Sequence, residues 1–202
     1  MQLTKDEIKN LQRTLKATGF DPGPIDGIWG PKTEAAYQRS QKQHDKAQPS
    51  PSNNLRTFDS RSEANIRSLL PKAQIAARKF LAAVHDAGIE AKIIGGNRTW
   101  AEQNALYAIG RTTQLNRGKV TNARGGYSNH NFGIAWDIGI FAGNSYKEES
   151  PLYGRAGAIG RKQGLEWGGD WKSLQDEPHF NLRTGLTTAQ LRSAFLNGEA
   201  YV

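Results

Sequence analysis

Residues 46–60 constrain the organisation of this chain more than any other stretch, because they are poor in apolar side chains and rich in Pro, Ser and Asn. Such a composition is typical of a linker. The 202-residue chain is therefore predicted to consist of a small segment, 1–45, and a larger domain, 61–202. Neither part contains cysteine, which excludes disulfides, thiolate metal ligands and cysteine nucleophiles.

The N-terminal segment is predicted to be a small all-α module. Thr4 and Glu7 have the spacing of a capping box at the start of a first helix. Residues 21–30 are dense in turn formers, and Pro31 suits the first position of a second helix that ends near residue 44. One face of the first helix carries the apolar residues Ile8, Leu11 and Leu15.

Helical and short strand patterns follow one another in the larger domain, which predicts an α+β fold with a mixed or antiparallel sheet and flanking helices. The predicted helices are 61–87, 99–109, 151–164 and a last one from 188 onward. The predicted strands are 91–95, 133–141 and 179–182. Ser60 with Glu63 and Thr99 with Glu102 are candidate capping boxes, while Pro71 is expected to kink or divide the first helix. Residues 110–128 form a long polar, glycine-rich loop.

The chain is basic, with a formal net charge of +8. A basic surface attracts polyanions such as nucleic acid, anionic lipid or a carboxylate-rich cell wall, although a solvated surface without a special partner explains the charge equally well. No cluster is dense enough to predict nucleic-acid binding. The sequence begins without an apolar run, so no secretory signal is expected, and no stretch reaches the ~18 apolar residues of a membrane span. Nothing in the sequence indicates more than a monomer.

Two histidines and an aspartate, His130, Asp137 and His179, are candidate ligands of a catalytic zinc ion. In a straight strand His130 and Asp137 would stand ~23 Å apart, so sharing a metal requires a bend, which Gly133 can supply. Pro178 cannot donate to a sheet, so His179 is expected to begin a strand. Taken singly, these residues fit a core histidine and a capping or salt-bridged aspartate better than they fit a metal site.

A carboxylate next to such a metal can move the proton of the attacking water, and both Asp176 and Glu177 are candidates for this role. Arg98 is expected to end a strand, where it can stabilise an oxyanion, clamp a substrate carboxylate or simply cap its own loop. Ser128 can bind substrate, orient His130 or be a plain turn residue.

The pattern Ser128-x-His130-x-x-Gly133-x-Ala135-x-Asp137, followed by Asp176-x-x-His179, resembles the zinc DD-/LD-peptidases. The segments Arg98–Gln103 and 164–171 resemble the branch of phage endolysins that are L-alanyl-D-glutamate endopeptidases. The resemblance covers roughly residues 60–185 and implies zinc ligands at His130, Asp137 and His179, a base at Asp176 and a stabilising Arg98. Ser128 and Gln103 are candidate substrate contacts. Gly96-Asn97 departs from the Gly-aromatic pair that is commoner before the arginine.

Residues 1–45 resemble the small helical peptidoglycan-binding module, and the matching part is Asp26–Ala36. Trp29 can stack on a sugar or plug the core of the turn. Ser40 stands where that family usually has an aromatic residue.

Together the two resemblances predict a zinc-dependent, cell-wall lytic peptidase that acts on bacterial peptidoglycan at the L-alanyl-D-glutamate bond of the stem peptide. The alternatives are a D-alanyl-D-alanine carboxypeptidase and a non-catalytic wall-binding protein on the same fold. A phage lysin of this kind is expected in the host cytoplasm before lysis, and then in the periplasm or cell wall.

Overall fold

The computed structural model of the chain describes residues 4–47, 57–172 and 175–202, with side chains described to residue 40 in the first range. Most of the predicted linker lies outside these residues, so the predicted domain boundaries stay a prediction. Contacts between residues group the described chain into two compact units, each built from separated stretches of sequence. The first comprises described residues of 1–53, 98–132 and 185–202, and the second comprises those of 54–97 and 133–184.

The first unit is helical. Its helices are α1 (Lys5–Ala17), α2 (Pro31–Ala47), α5 (Trp100–Ala108), a 3₁₀ helix (Asn129–Phe132) and α7 (Thr188–Asn197). The capping boxes predicted at Thr4 and Thr99 are both formed, and a third at Thr187 with Gln190 starts α7. Gln12 holds the turn after α1, because its side chain bonds Asp26, Thr33 and the backbone of Gly27.

The second unit is an antiparallel sheet with helices. Its elements are α3 (Ser60–Arg67), α4 (Pro71–Asp86), β1 (Ala91–Gly95), β2 (Ala135–Ala142), β3 (Ser145–Lys147), α6 (Leu152–Lys162), β4 (Leu165–Trp167), a 3₁₀ helix (Gly168–Asp170) and β5 (His179–Leu182). The strand order is β1-β2-β5-β4, and β3 pairs with the end of β2. The predicted α+β fold with an antiparallel sheet is confirmed.

The predicted helix 61–87 is divided in two at Pro71, which occupies the first turn of α4. The predicted cap at its start was wrong by one residue. Asp59, and not Ser60, is the N-cap of α3, because its carboxylate accepts from the backbone N–H and the hydroxyl of Ser62. Glu63 is then free to accept from Arg78 and from the backbone of Phe58.

The core of the second unit lies between one face of the sheet and helices α4 and α6. Alternate residues of a strand point to opposite faces, and the predicted inward set Ile134, Trp136, Ile138 and Ile140 is buried. Phe80 of α4 packs on Phe180 of β5 with ring centroids 4.3 Å apart. Phe180 points into this core, so its neighbours His179 and Asn181 point to the opposite face of β5.

No helix within the described ranges is both long and apolar enough to span a bilayer.

Candidate metal centre

Two of the predicted ligands face each other across adjacent strands. Asp137 of β2 and His179 of β5 are direct register partners in the antiparallel ladder. Asp137 Oδ1 lies 3.3 Å from His179 Nδ1. Two tetrahedral ligands with bonds of about 2.1 Å to one zinc ion lie about 3.4 Å apart, so this pair has the separation that a shared metal requires.

His130 completes the set. It lies on the 3₁₀ helix Asn129–Phe132 and is 2% exposed. One ligand atom from each of His130, Asp137 and His179 lies within 4.8 Å of the other two. The bend predicted at Gly133 is present, with φ at 67° in the left-handed region that glycine tolerates. Two imidazole nitrogens and one carboxylate oxygen are a donor set that fits zinc, with room for a fourth ligand.

Asn181 determines which nitrogen of His179 faces Asp137. The Asn181 amide nitrogen donates to Glu166 Oε2 at 3.0 Å and to the carbonyl of Leu182 at 2.8 Å. Its oxygen therefore faces His179 Nε2, 3.1 Å away, and accepts the proton that this nitrogen carries. The lone pair of Nδ1 is left on the side of Asp137, where a metal would bind.

Trp171 also contacts His179, with ring centroids 4.8 Å apart. Its indole is 38% exposed, while His179 is 4% exposed. The tryptophan shields the imidazole from solvent on one side, which raises the strength of electrostatic interactions at this point. Asn181 was not identified from the sequence, and Trp171 was noted only as the last residue of the segment 164–171, because their contacts with His179 depend on how the strands fold.

Arg98 is attached to the segment that carries His130. Its backbone N–H donates to the His130 carbonyl at 3.1 Å, and its guanidinium donates to Gln103 Oε1 at 3.0 Å. Gln103 is fully buried, and its amide nitrogen also donates to the carbonyl of Ala123 at 2.9 Å. These contacts make Gln103 a residue that orients Arg98, and its predicted contact with substrate stays a prediction.

Asn131 connects the same segment to its surroundings. Its side-chain oxygen accepts from the backbone of Gly126 at 2.9 Å, and its amide nitrogen donates to the Arg98 carbonyl at 2.9 Å. Ser128 is half-buried, and its backbone N–H approaches the same Asn131 oxygen at 3.4 Å. The structure thus gives Ser128 a place in the turn before His130, while its predicted role towards substrate stays a prediction.

A groove of about 600 Å³ adjoins Arg98. Its lining is largely apolar and comes from α5 and the following turn: Glu102, Ala105, Leu106, Ala108, Ile109, Thr113 and Gln114. Gln114 has φ at 45°, a left-handed conformation that is uncommon for a residue other than glycine. Arg98 is itself one of the residues that line the groove.

Asp176 and Glu177 precede His179 in a tight turn. The His179 N–H donates to the Asp176 carbonyl at 3.1 Å, and the Asp176 N–H donates to the Gly168 carbonyl at 3.1 Å. The Glu177 carbonyl accepts from the Trp167 indole at 2.7 Å. Asp176 is half-buried whereas Glu177 is exposed, so the environment around the two carboxylates differs although they are adjacent in sequence.

Trp29 lies in the turn before α2 and is 37% exposed. Its ring meets Tyr37 edge to face with centroids 5.4 Å apart, and its indole nitrogen donates to Glu34. One side of the ring is thus packed within the module and another is open to solvent. Its predicted contact with a sugar stays a prediction.

Two protein-family models match the chain. Residues 4–46 match a putative peptidoglycan binding domain, and residues 121–182 match the D-alanyl-D-alanine carboxypeptidase family. The second match contains all three predicted metal ligands and both candidate bases. The predicted resemblance is therefore confirmed in both parts: the match to a peptidase family follows a match to a peptidoglycan-binding domain.

Individual relatives agree with this class. The chain is 37% identical over 113 residues to the peptidoglycan L-alanyl-D-glutamate endopeptidase CwlK of Bacillus subtilis, a match that covers 50% of this chain and 65% of the relative. It is 33% identical over 128 residues to the L-alanyl-D-glutamate peptidase of Listeria phage A118, covering 61% of this chain and 41% of the relative. The chain thus spans less than two thirds of either relative.

Among solved structures, the L-Ala D-Glu endopeptidase ChiX of Serratia marcescens matches with 26% identity and a TM-score of 0.49, over 65% of this chain and 93% of that one.

Proposed function

We propose that this chain is a zinc-dependent peptidase that hydrolyses the L-alanyl-D-glutamate bond in the stem peptide of bacterial peptidoglycan. The observation that carries the proposal is the convergence of one atom each from His130, Asp137 and His179 to within 4.8 Å. The relatives that carry this activity in their names support the choice of bond.

His130, Asp137 and His179 would hold the ion. A zinc ion bound there supplies a Lewis acid that polarises the scissile carbonyl and makes water a better nucleophile. The half-buried carboxylate of Asp176 takes a proton from the attacking water and returns it to the leaving amine. The guanidinium of Arg98, held by Gln103, stabilises the negative charge that develops on the carbonyl oxygen.

The N-terminal module would keep the chain on its substrate. The match of residues 4–46 to a peptidoglycan-binding domain supports this role. Binding to the wall raises the local concentration of stem peptide around the peptidase domain. The net charge of +8 favours a wall that bears carboxylates.

The phage relative supports a lysin that acts on the host wall once it leaves the cytoplasm. That this lysin acts as a monomer stays a prediction. Expression of the protein in the host cytoplasm, with and without later permeabilisation of the cytoplasmic membrane, tests this role, because a lysin held in the cytoplasm reaches the wall only once that membrane is opened.

Digestion of isolated sacculi, with the new termini identified by mass spectrometry, tests the bond. New alanine carboxyl ends paired with glutamate amino ends are the expected result. Release of free D-alanine would instead assign the carboxypeptidase activity, which the family description of residues 121–182 favours. Retention on sacculi without any cleavage would show a wall-binding protein.

His130→Ala, Asp137→Ala and His179→Ala are each expected to lose zinc and turnover together, and full zinc content in all three would refute the proposed site.

A further inference from the structure

The 3₁₀ helix that carries His130 is held by contacts of its own backbone and side chains, and not by a sheet. It spans only Asn129–Phe132 and belongs to no sheet, whereas Asp137 and His179 are held by neighbouring strands on both sides of the ladder. A four-residue element of this kind depends on side-chain contacts for its orientation. Asn131 supplies one such contact on the side of Arg98.

The C-terminal segment supplies a further contact. The Tyr201 hydroxyl donates to the carbonyl of Phe132 at 2.9 Å. The Phe132 ring meets Phe195 edge to face with centroids 5.6 Å apart, and Tyr201 lies 6.4 Å from Phe132 and 6.5 Å from Phe195. Phe132, Phe195 and Tyr201, which we call the aromatic clamp, are 1%, 2% and 7% exposed.

The hydrogen bond from the Tyr201 hydroxyl to the Phe132 carbonyl persists across the neutral pH range. Burial raises the pKa of Tyr201 above its ordinary value of 10.0, so its hydroxyl keeps its proton. The Phe132 carbonyl is buried with its residue and has this hydroxyl as its donor. Without the hydroxyl, the carbonyl would have to turn towards water or remain unsatisfied, and either change disturbs the helix.

We propose that Tyr201 is a positioning residue for His130, because its hydroxyl fixes the peptide group two residues after that histidine. The inference rests on the metal site proposed above. The clamp includes residues beyond 182, where the match to the peptidase family ends, so this support comes from the C-terminal segment of the chain.

Small movements of this 3₁₀ helix affect metal binding, because each ligand atom must stay close to its ideal distance from the ion. Bonds from zinc to nitrogen are about 2.0–2.1 Å long, with deviations of about 0.2 Å marking a well-formed site. Groups that do not touch the metal but orient one of its ligands change metal affinity by about 10–100-fold when they are removed.

Tyr201→Phe removes only the hydroxyl and tests the inference in the full chain. We expect zinc to bind about tenfold more weakly, measured by competition with a chromophoric chelator. Tyr153→Phe is the matched control. Tyr153 is fully buried and its hydroxyl donates to the Lys147 carbonyl at 3.1 Å. It also accepts from Ile140 of β2, a strand that its neighbours already hold in place, so zinc affinity is expected to stay within twofold of the wild type.

The visible spectrum of the Co²⁺-loaded protein gives a second readout, since d–d bands report ligand geometry and not stability. Changed bands and weaker zinc in Tyr201→Phe alone would support the inference. Wild-type affinity and bands in Tyr201→Phe, or equal losses in both variants, would overturn it. If Tyr201→Phe does not fold in plain buffer, all three proteins are compared by the same criteria in a stabilising osmolyte such as sucrose. Failure of the wild-type protein to bind zinc would instead overturn the metal site itself.

Discussion

His179 and Asn181 lie on the same face of β5 and are joined by a hydrogen bond of 3.1 Å between the imidazole Nε2 and the amide oxygen. The opposite nitrogen of the same imidazole lies 3.3 Å from Asp137. A single side chain two residues away thus selects the tautomer of His179 that can bind a metal next to Asp137. The alternation of residues along a strand is what places both side chains on this face.

Asn181→Ala is predicted to weaken zinc binding. Loss of the amide oxygen removes the acceptor that Asn181 provides for Nε2 of His179, so the proton is held less firmly on this nitrogen and the ring can turn. We expect the dissociation constant for zinc to rise about 10–100-fold, as measured by chelator competition.

Asn65→Ala is a suitable control, because Asn65 also donates through its amide to a strand carbonyl, that of Ile93 at 2.8 Å. It is expected to lower the free energy of unfolding by about 1 kcal/mol with little change in zinc affinity. An Asn181→Ala protein that binds zinc as tightly as the wild type would show that another contact fixes the tautomer.

Local patterns predicted the parts of the structure that depend on neighbours in sequence. Thr4 and Thr99 form capping boxes because the partner glutamate is three residues away, and Pro71 starts a helix because its ring restricts its own backbone. The three ligands were predicted from a motif of known spacing. Asn181 and Tyr201 were not, because their roles depend on strand register and on a contact with Phe132 across 69 residues.

Mutations of the adjacent residues Asp176 and Glu177 are predicted to have different effects on hydrolysis. Asp176→Asn should retain zinc and lose hydrolysis by about 10²–10⁴-fold, the usual contribution of a general base. Glu177→Gln should leave turnover nearly unchanged, because the Glu177 side chain is exposed while the backbone makes the local contact with Trp167. Zinc content and hydrolysis of sacculi are measured on the same samples. The reverse pattern would transfer the role of base to Glu177.

The ion pair between Glu63 and Arg78 is predicted to make stability fall in acid. Two bonds of 2.7 and 2.6 Å join these side chains, which are 15% and 17% exposed. The hydrogen bonds from Arg78 lower the pKa of Glu63 below its ordinary value of 4.5, against a smaller effect of burial. The carboxyl group is therefore charged in the folded state at a lower pH than in the unfolded state, and its contribution is complete above about pH 4.5 and declines below it.

A double-mutant cycle with Glu63→Gln and Arg78→Gln measures this contribution. Urea unfolding at pH 7 should give a coupling energy of about 1–3 kcal/mol between the two residues. The coupling should shrink as the pH is lowered through and below 4.5. A coupling energy that is the same at pH 7 and at the lowest pH at which the protein folds would contradict the assignment.

Gly168 is predicted to be essential for the position of Asp176. A Cβ atom at residue 168 would lie 2.3 Å from the Asp176 carbonyl oxygen and 3.0 Å from the His179 Cβ. Backbone atoms cannot rotate away as the end of a side chain can, so Gly168→Ala must displace the turn that carries the base. A displacement of about 1 Å at a reacting group costs about 10²-fold in rate. We expect turnover on sacculi, with zinc at saturation, to fall by at least that factor.

Gly154→Ala provides the control for the added methyl group. Gly154 lies in α6, and a Cβ atom there meets no described atom within 4 Å. Alanine favours a helix interior by about 1 kcal/mol over glycine, so this variant should unfold at a slightly higher temperature and keep full turnover. If Gly168→Ala also kept full turnover, the turn would have to tolerate the displacement, and the position of the Asp176 backbone would not limit the reaction.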